Sequence, residues 1–74
     1  MAQHILDTVG MKCPQPVLKL AVKAPQMQAG DVLTIIGNCA TFEHDVRSWC
    51  ERLGKTLLSV TTDKSDATSM EILF

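Results

Sequence analysis

Apolar and polar positions follow one another along the chain in a pattern that predicts four strands and two helices. His4 to Asp7 is a short apolar-centred run with strand character, and the turn-prone stretch Thr8 to Lys12, with Gly10 inside it, follows. Leu18, Ala21 and Val22 then recur at helical spacing while Lys19 and Lys23 fall on another face, which predicts a helix that Pro25 stops at about Ala24. Gln26 to Gly30 is expected as a loop. The run Val32-Leu33-Thr34-Ile35-Ile36 is β-branched and almost uninterrupted in hydrophobicity, as suits a central strand covered on at least one face, and Gly37 and Asn38 end it. Thr41 is placed to cap a second helix in which Phe42, Val46, Trp49, Cys50 and Leu53 form one apolar stripe and Gly54 is the stop. Leu57 to Thr62 and Ser69 to Phe74, separated by the polar stretch Asp63 to Thr68, read as a hairpin.

The order β-α-β-α-β-β predicts an α+β fold, a two-layer sandwich of a four-stranded mixed sheet with both helices on one face. The first two strands are joined through a helix, so a parallel pair with a right-handed crossover is expected. Each helix then starts just past the C-terminal end of the strand before it, and the two helix starts open on one edge of the sheet. Cys13 and Cys39 are expected to share that edge.

With 74 residues the chain is expected to form one domain spanning residues 1–74, because a chain this short buries only about 60% of its unfolded surface and cannot support a second core. A composition of 46% hydrophobic and 20% charged residues is too apolar for intrinsic disorder. The formal net charge of -1 supplies none of the basic surface that phosphate neutralisation requires, so direct nucleic-acid binding is not expected. The start Met-Ala-Gln-His has no basic segment before an apolar run, and no stretch approaches the roughly 20 apolar residues of a membrane span. A cytoplasmic monomer with no membrane association is the expectation. Three widely spaced cysteines, Cys13, Cys39 and Cys50, make a poor disulfide framework for a secreted chain and fit a reducing compartment better. There is no Cys-x-x-Cys pair, and His4 and His44 are not at ligand spacing from any cysteine, so neither a metal site nor a cofactor is expected.

The most informative stretch is Met11-Lys12-Cys13-Pro14-Gln15-Pro16. Two prolines this close are tolerated in a helix only within its first turn, where the amides have no partners, so the motif fixes a helix start. Cys13, biased to extended dihedrals by the proline that follows, suits the N-cap position, and its sulfur sits at a helix N-terminus. The partial positive charge there, with Lys12 beside it, favours a thiolate, while Asp7 would oppose one if it approached. An unperturbed thiol of pKa about 8.5 is only roughly 3% ionised at pH 7, and a shift to about 7 ionises half of it for about 2 kcal/mol. An inert, buried cysteine is the common alternative. It does not require the Pro-x-Pro start, and the turn Gly10-Met11-Lys12 argues for an exposed sulfur.

Taken together, Leu6-Asp7, Gly10-Met11-x-Cys13-Pro14-x-Pro16, Gly30-Asp31-Val32-Leu33, Asp45 and Leu53-Gly54 resemble the TusA/SirA-like proteins over nearly the whole chain. The resemblance implies the same β-α-β-α-β-β fold and a sulfurtransferase role in which Cys13 carries sulfur as a persulfide or related adduct, with Gly10, Lys12, Pro14 and Pro16 supporting the motif. It also implies two kinds of partner protein: a sulfur donor, such as a cysteine desulfurase, a rhodanese or a DsrE-type carrier, and an acceptor in tRNA thiolation, cofactor synthesis or sulfur oxidation. Asn38-Cys39-Ala40-Thr41-Phe42-Glu43 is similar to an Asp-Cys-Pro-Thr-Phe-Glu segment of some members, with Asn38 in place of the acid and Ala40 in place of the proline. Pro25 shortens the first helix relative to many members.

Other readings stay open beside this one. Cys39 could serve as a second, resolving thiol or could simply pack its turn; Cys50 falls on an apolar stripe and reads as core. His44 and Asp45 resemble a base and its orienting acid, but adjacent helix positions point apart, and a solvated face with a Glu43–Arg47 pair suits them better. Lys12, Lys19 and Lys23 could dock an acidic partner or be ordinary solvated lysines. The two functional alternatives are a dithiol redox protein using Cys13 and Cys39, and a regulatory binding module that needs no reactive cysteine.

Overall fold

The computed structural model describes residues 2–74. Strand β1 (Gln3–Asp7) leads to helix α1 (Gln15–Lys23), a single 3₁₀ turn (Ala24–Gln26), strand β2 (Val32–Gly37), helix α2 (Phe42–Leu53) and the hairpin β3 (Thr56–Thr62) and β4 (Thr68–Leu73). The sheet order is β1-β2-β4-β3, with β1 and β2 parallel and the other two pairings antiparallel. This is the expected four-stranded mixed sheet with two helices. Pro25 does not simply end α1; it lies in the 3₁₀ turn, where a missing N–H is tolerated.

The core lies between the sheet and the helices. Leu33 and Ile35 of β2 and Met70 and Ile72 of β4 alternate inward and are fully buried, as are Leu20 of α1 and Val46 of α2. Phe42, Trp49 and Cys50 complete the cluster from the buried face of α2. Burying each large side chain contributes about 1.5–3 kcal/mol, which orients both helices on the same face of the sheet. Gly54 ends α2 in the left-handed conformation, and the amide of Lys55 returns to the Cys50 carbonyl at 2.9 Å.

The inward face of α1 differs from the one its Leu18, Ala21 and Val22 spacing marked out. Pro16 and Leu20 are buried and Val17 and Ala24 pack against the core, whereas Leu18 is 57% and Val22 69% exposed. Apolar residues occur on both sides of this nine-residue helix, so periodicity alone does not choose between them; anchorage of Pro16 at the helix start does. Leu53 is likewise exposed, at the last turn of α2. In β3 a register shift between Leu57 and Ser59 turns Leu58 outward on an edge strand.

Candidate functional site

Because β1 and β2 are parallel, their C-terminal ends share an edge, and the loops that leave them run side by side. Three contacts hold those loops together. The buried Thr8 donates both its amide and its hydroxyl to the carbonyl of Ile36, at 2.7 and 2.6 Å, extending the β1–β2 pairing by one residue. The Gly10 amide donates to Oδ1 of Asn38 at 3.0 Å. Gly10 has φ +88°, a conformation with little steric cost only for glycine. At Gly37 the requirement is space: a Cβ there would lie 2.5 Å from the Phe42 ring and 2.8 Å from Thr8 Oγ1.

Cys13 and Cys39 meet on this edge and are bonded to one another through their sulfurs, with Cα atoms 5.7 Å apart. The amide of Thr41 donates to Cys13 Sγ at 3.4 Å. Cys13 itself lies one residue ahead of the N-cap of α1, which is Pro14, rather than on it; the Cys13–Pro14 peptide bond is cis. The sulfur lies at the start of α2, where the Thr41 amide, which has no partner within the helix, faces it. Around it, Pro16 is buried and anchors the helix start, Pro14 is exposed, and Lys12 is exposed with its carbonyl accepting the Gln15 amide at 2.8 Å. Asp7 is occupied locally, accepting the Val9 amide at 3.0 Å.

The remaining candidates lie elsewhere. Cys50 is 3% exposed, and burial pushes its thiol up, away from reactivity. His44 is exposed, Asp45 accepts the Thr41 hydroxyl at 2.9 Å, and Glu43 pairs with Arg47 at 2.9 Å, so His44 and Asp45 form no base-and-acid pair with Cys13. Thr41 occupies the N-cap position of α2, but its hydroxyl serves Asp45 instead of a backbone amide. Among the described residues no group of three His, Cys, Asp or Glu side chains is arranged to hold a metal ion, and no helix is long and apolar enough to cross a membrane.

Four residues that shape the site were not read as part of it from the sequence: Thr8, Gly37, Asn38 and Thr41. Asn38, legible in the sequence as the end of β2 and as a replacement for an acid, tethers the Gly10 loop through its side-chain oxygen without bringing a negative charge near the sulfurs. The Thr41 contact depends on the meeting of two loops 28 residues apart and leaves no local signal.

Comparison with known proteins agrees with this fold. The chain is similar in structure to a SirA-like protein from Desulfitobacterium hafniense, with a TM-score of 0.81 at 20% sequence identity over 95% of each chain, which supports the fold. The family model described as sulfurtransferase TusA matches residues 4–73. That match includes every strand and helix but for Gln3, the first residue of β1, and with it the chain belongs to the TusA sulfurtransferase family.

Proposed function

We propose that Cys13 is the sulfur-carrying residue and that the chain relays sulfur from a donor protein to an acceptor protein. The observation that carries this reading is the Thr41 amide aimed at Cys13 Sγ from the start of the twelve-residue helix α2. In the reduced protein that donor and the helix end stabilise a thiolate or a persulfide anion on Cys13. The thiolate attacks the outer sulfur of a donor persulfide, the donor's own thiolate leaves, and an acceptor thiolate later takes the same sulfur in the same way.

Docking of the donor is supported by the exposed face of α1. Leu18 and Val22, with Met11 and Gln15, line an open groove beginning two residues from Cys13 and rimmed by Lys19. A second groove on the other side of Leu18 runs to Leu53 and Arg52. Neither lining contains a carboxylate, so the complementary partner is a protein presenting apolar side chains ringed by acidic ones. This face is where the donor docks in the proposed relay.

Intact-mass spectrometry of the reduced protein after incubation with a cysteine desulfurase and cysteine, then with thiosulfate or tetrathionate, tests the assignment. A reducible gain of one sulfur atom is expected in wild type and in Cys39→Ser, and none in Cys13→Ser. The Cys13–Cys39 bond favours a second reading, a dithiol redox protein. It predicts that no donor adds sulfur to wild type or to either variant, while the wild-type disulfide still opens and closes; that result would displace the carrier.

A further inference from the structure

Cys39 has no task in a single-thiol relay, yet the fold brings it to Cys13. Both cysteines are half-buried and bonded across a sequence separation of 26. Their approach is fixed from both sides: Asn38 holds the Gly10 loop, the Phe42 amide donates to the Cys39 carbonyl at 3.1 Å, and the Thr41 amide holds Cys13. Cys50, sealed in the core, is no competitor for either sulfur.

We infer that Cys39 is a resolving thiol, and that the protein can discharge the sulfur on Cys13 as hydrosulfide as well as pass it to an acceptor. The inference rests on the carrier reading of Cys13. Loaded Cys13 bears an inner sulfur, Sγ, and an outer one. The Cys39 thiol gives its proton to the outer sulfur of the persulfide anion, and the resulting Cys39 thiolate attacks the inner sulfur, the atom to which the structure shows it bonded; the Cys13–Cys39 bond forms, the inner–outer bond breaks, and the outer sulfur leaves with the electron pair and that proton as hydrosulfide. The outer sulfur is reduced and the two cysteine sulfurs are together oxidised by two electrons, so this step needs no external oxidant. The closed protein accepts no further sulfur until a dithiol reductant exchanges with the disulfide and restores both thiols. Delivery and discharge thereby compete: a docked acceptor takes the outer sulfur before Cys39 displaces it, and an idle loaded carrier empties and closes.

The test follows the loaded protein in time. Reduced wild type, Cys39→Ser and Cys39→Ala are loaded by a desulfurase with cysteine and, in parallel, by inorganic polysulfide; each is desalted, and intact mass and free hydrosulfide are then measured together. Wild type is expected to lose the added sulfur, to finish two hydrogens lighter than the reduced protein and to release one hydrosulfide per chain. Both Cys39 variants are expected to hold the sulfur at least about 10-fold longer, since an intramolecular thiol acts at millimolar effective concentration or above. Wild type that holds its sulfur as long as the variants, or that moves it to Cys39 without forming the disulfide, overturns the inference and leaves the carrier intact. Variants that take no sulfur from either source overturn the carrier reading, and the inference with it.

Discussion

Gly37 shows how one residue can govern the site without any chemistry of its own. The Phe42 ring and the Thr8 hydroxyl occupy the space where a side chain at position 37 would begin. Phe42 is the first residue of α2, so displacing its ring displaces the Thr41 amide that faces Cys13. Overpacking of this kind costs about 1–3 kcal/mol, and at about 4–8 °C per kcal/mol for a chain of this size Gly37→Ala is expected to lower Tm by on the order of 10 °C. Thermal unfolding followed by circular dichroism checks it, and an unchanged Tm would mean that the ring moves aside freely. In the sequence Gly37 is legible only as the end of a strand, because the ring it accommodates belongs to another element and its approach is a tertiary fact.

At the scale of elements, α1 and α2 differ in how much of their packing the sequence carries. The α2 stripe is legible because its polar and apolar residues segregate: Phe42, Val46, Trp49 and Cys50 are buried, and Glu43, His44, Arg47 and Glu51 are exposed. Helix α1 has apolar side chains on two faces, and the anchored Pro16 and the position of the sheet decide that Leu20 turns in and Leu18 out. The two leucines should therefore respond oppositely. Leu20→Ala is expected to cost about 2–5 kcal/mol with its loading chemistry otherwise retained in the folded fraction. Leu18→Glu is expected to leave Tm within a few degrees of wild type, as an exposed substitution does, and to slow desulfurase-dependent loading of Cys13 by placing a charge in the apolar groove. Loading from inorganic polysulfide, which needs no docking, should not change. Equal desulfurase-dependent rates for Leu18→Glu and wild type would remove α1 as the docking face.

Across the whole molecule, the end of the sheet opposite the cysteines is held by a clamp around Asp31. Its carboxylate accepts the Gln28 and Ala2 amides, each at 3.0 Å, and lies 3.3 Å from His4 Nε2. The backbone of Phe74 pairs with Gly30 and Asp31, and its ring sits 6.2 Å from that of Trp49 with Lys55 Nζ 5.2 Å from its centre. The Gln28 amide, followed by those of Ala2 and the His4 contact, holds the Asp31 carboxyl below its ordinary range against the opposing effect of burial. In the β3–β4 turn the Ser65 hydroxyl and the Ser65 and Ala67 amides do the same for Asp63. Carboxyls lowered in the folded state contribute stability that is complete above the unfolded pKa of about 3.9 and is lost as pH falls through the folded values. Tm is therefore expected to hold from neutral pH to about 5 and to fall below about 4. Asp31→Asn is expected to lower Tm at pH 7 and to flatten the acid limb; parallel acid limbs for variant and wild type would show that the clamp does not link protons to folding.

The sequence by itself determined the order of elements, the α2 core stripe, the hairpin and the cysteine at a proline-fixed helix start. Each of these rests on local physics: the period of apolar side chains, the dihedral limits of proline and glycine, and the caps that helix ends require. The shared edge of Cys13 and Cys39 was also within reach, since a parallel β1–β2 pair puts both loops there. Only the tertiary structure decided that Cys13 faces the start of α2 instead of capping α1, that Asn38 and Thr8 lock the loops, that α1 shows solvent an apolar face, and that the two sulfurs bond. Those outcomes depend on which distant groups the packed sheet brings within a few ångströms, and distances across the fold are not recorded in the spacing of residues along a chain.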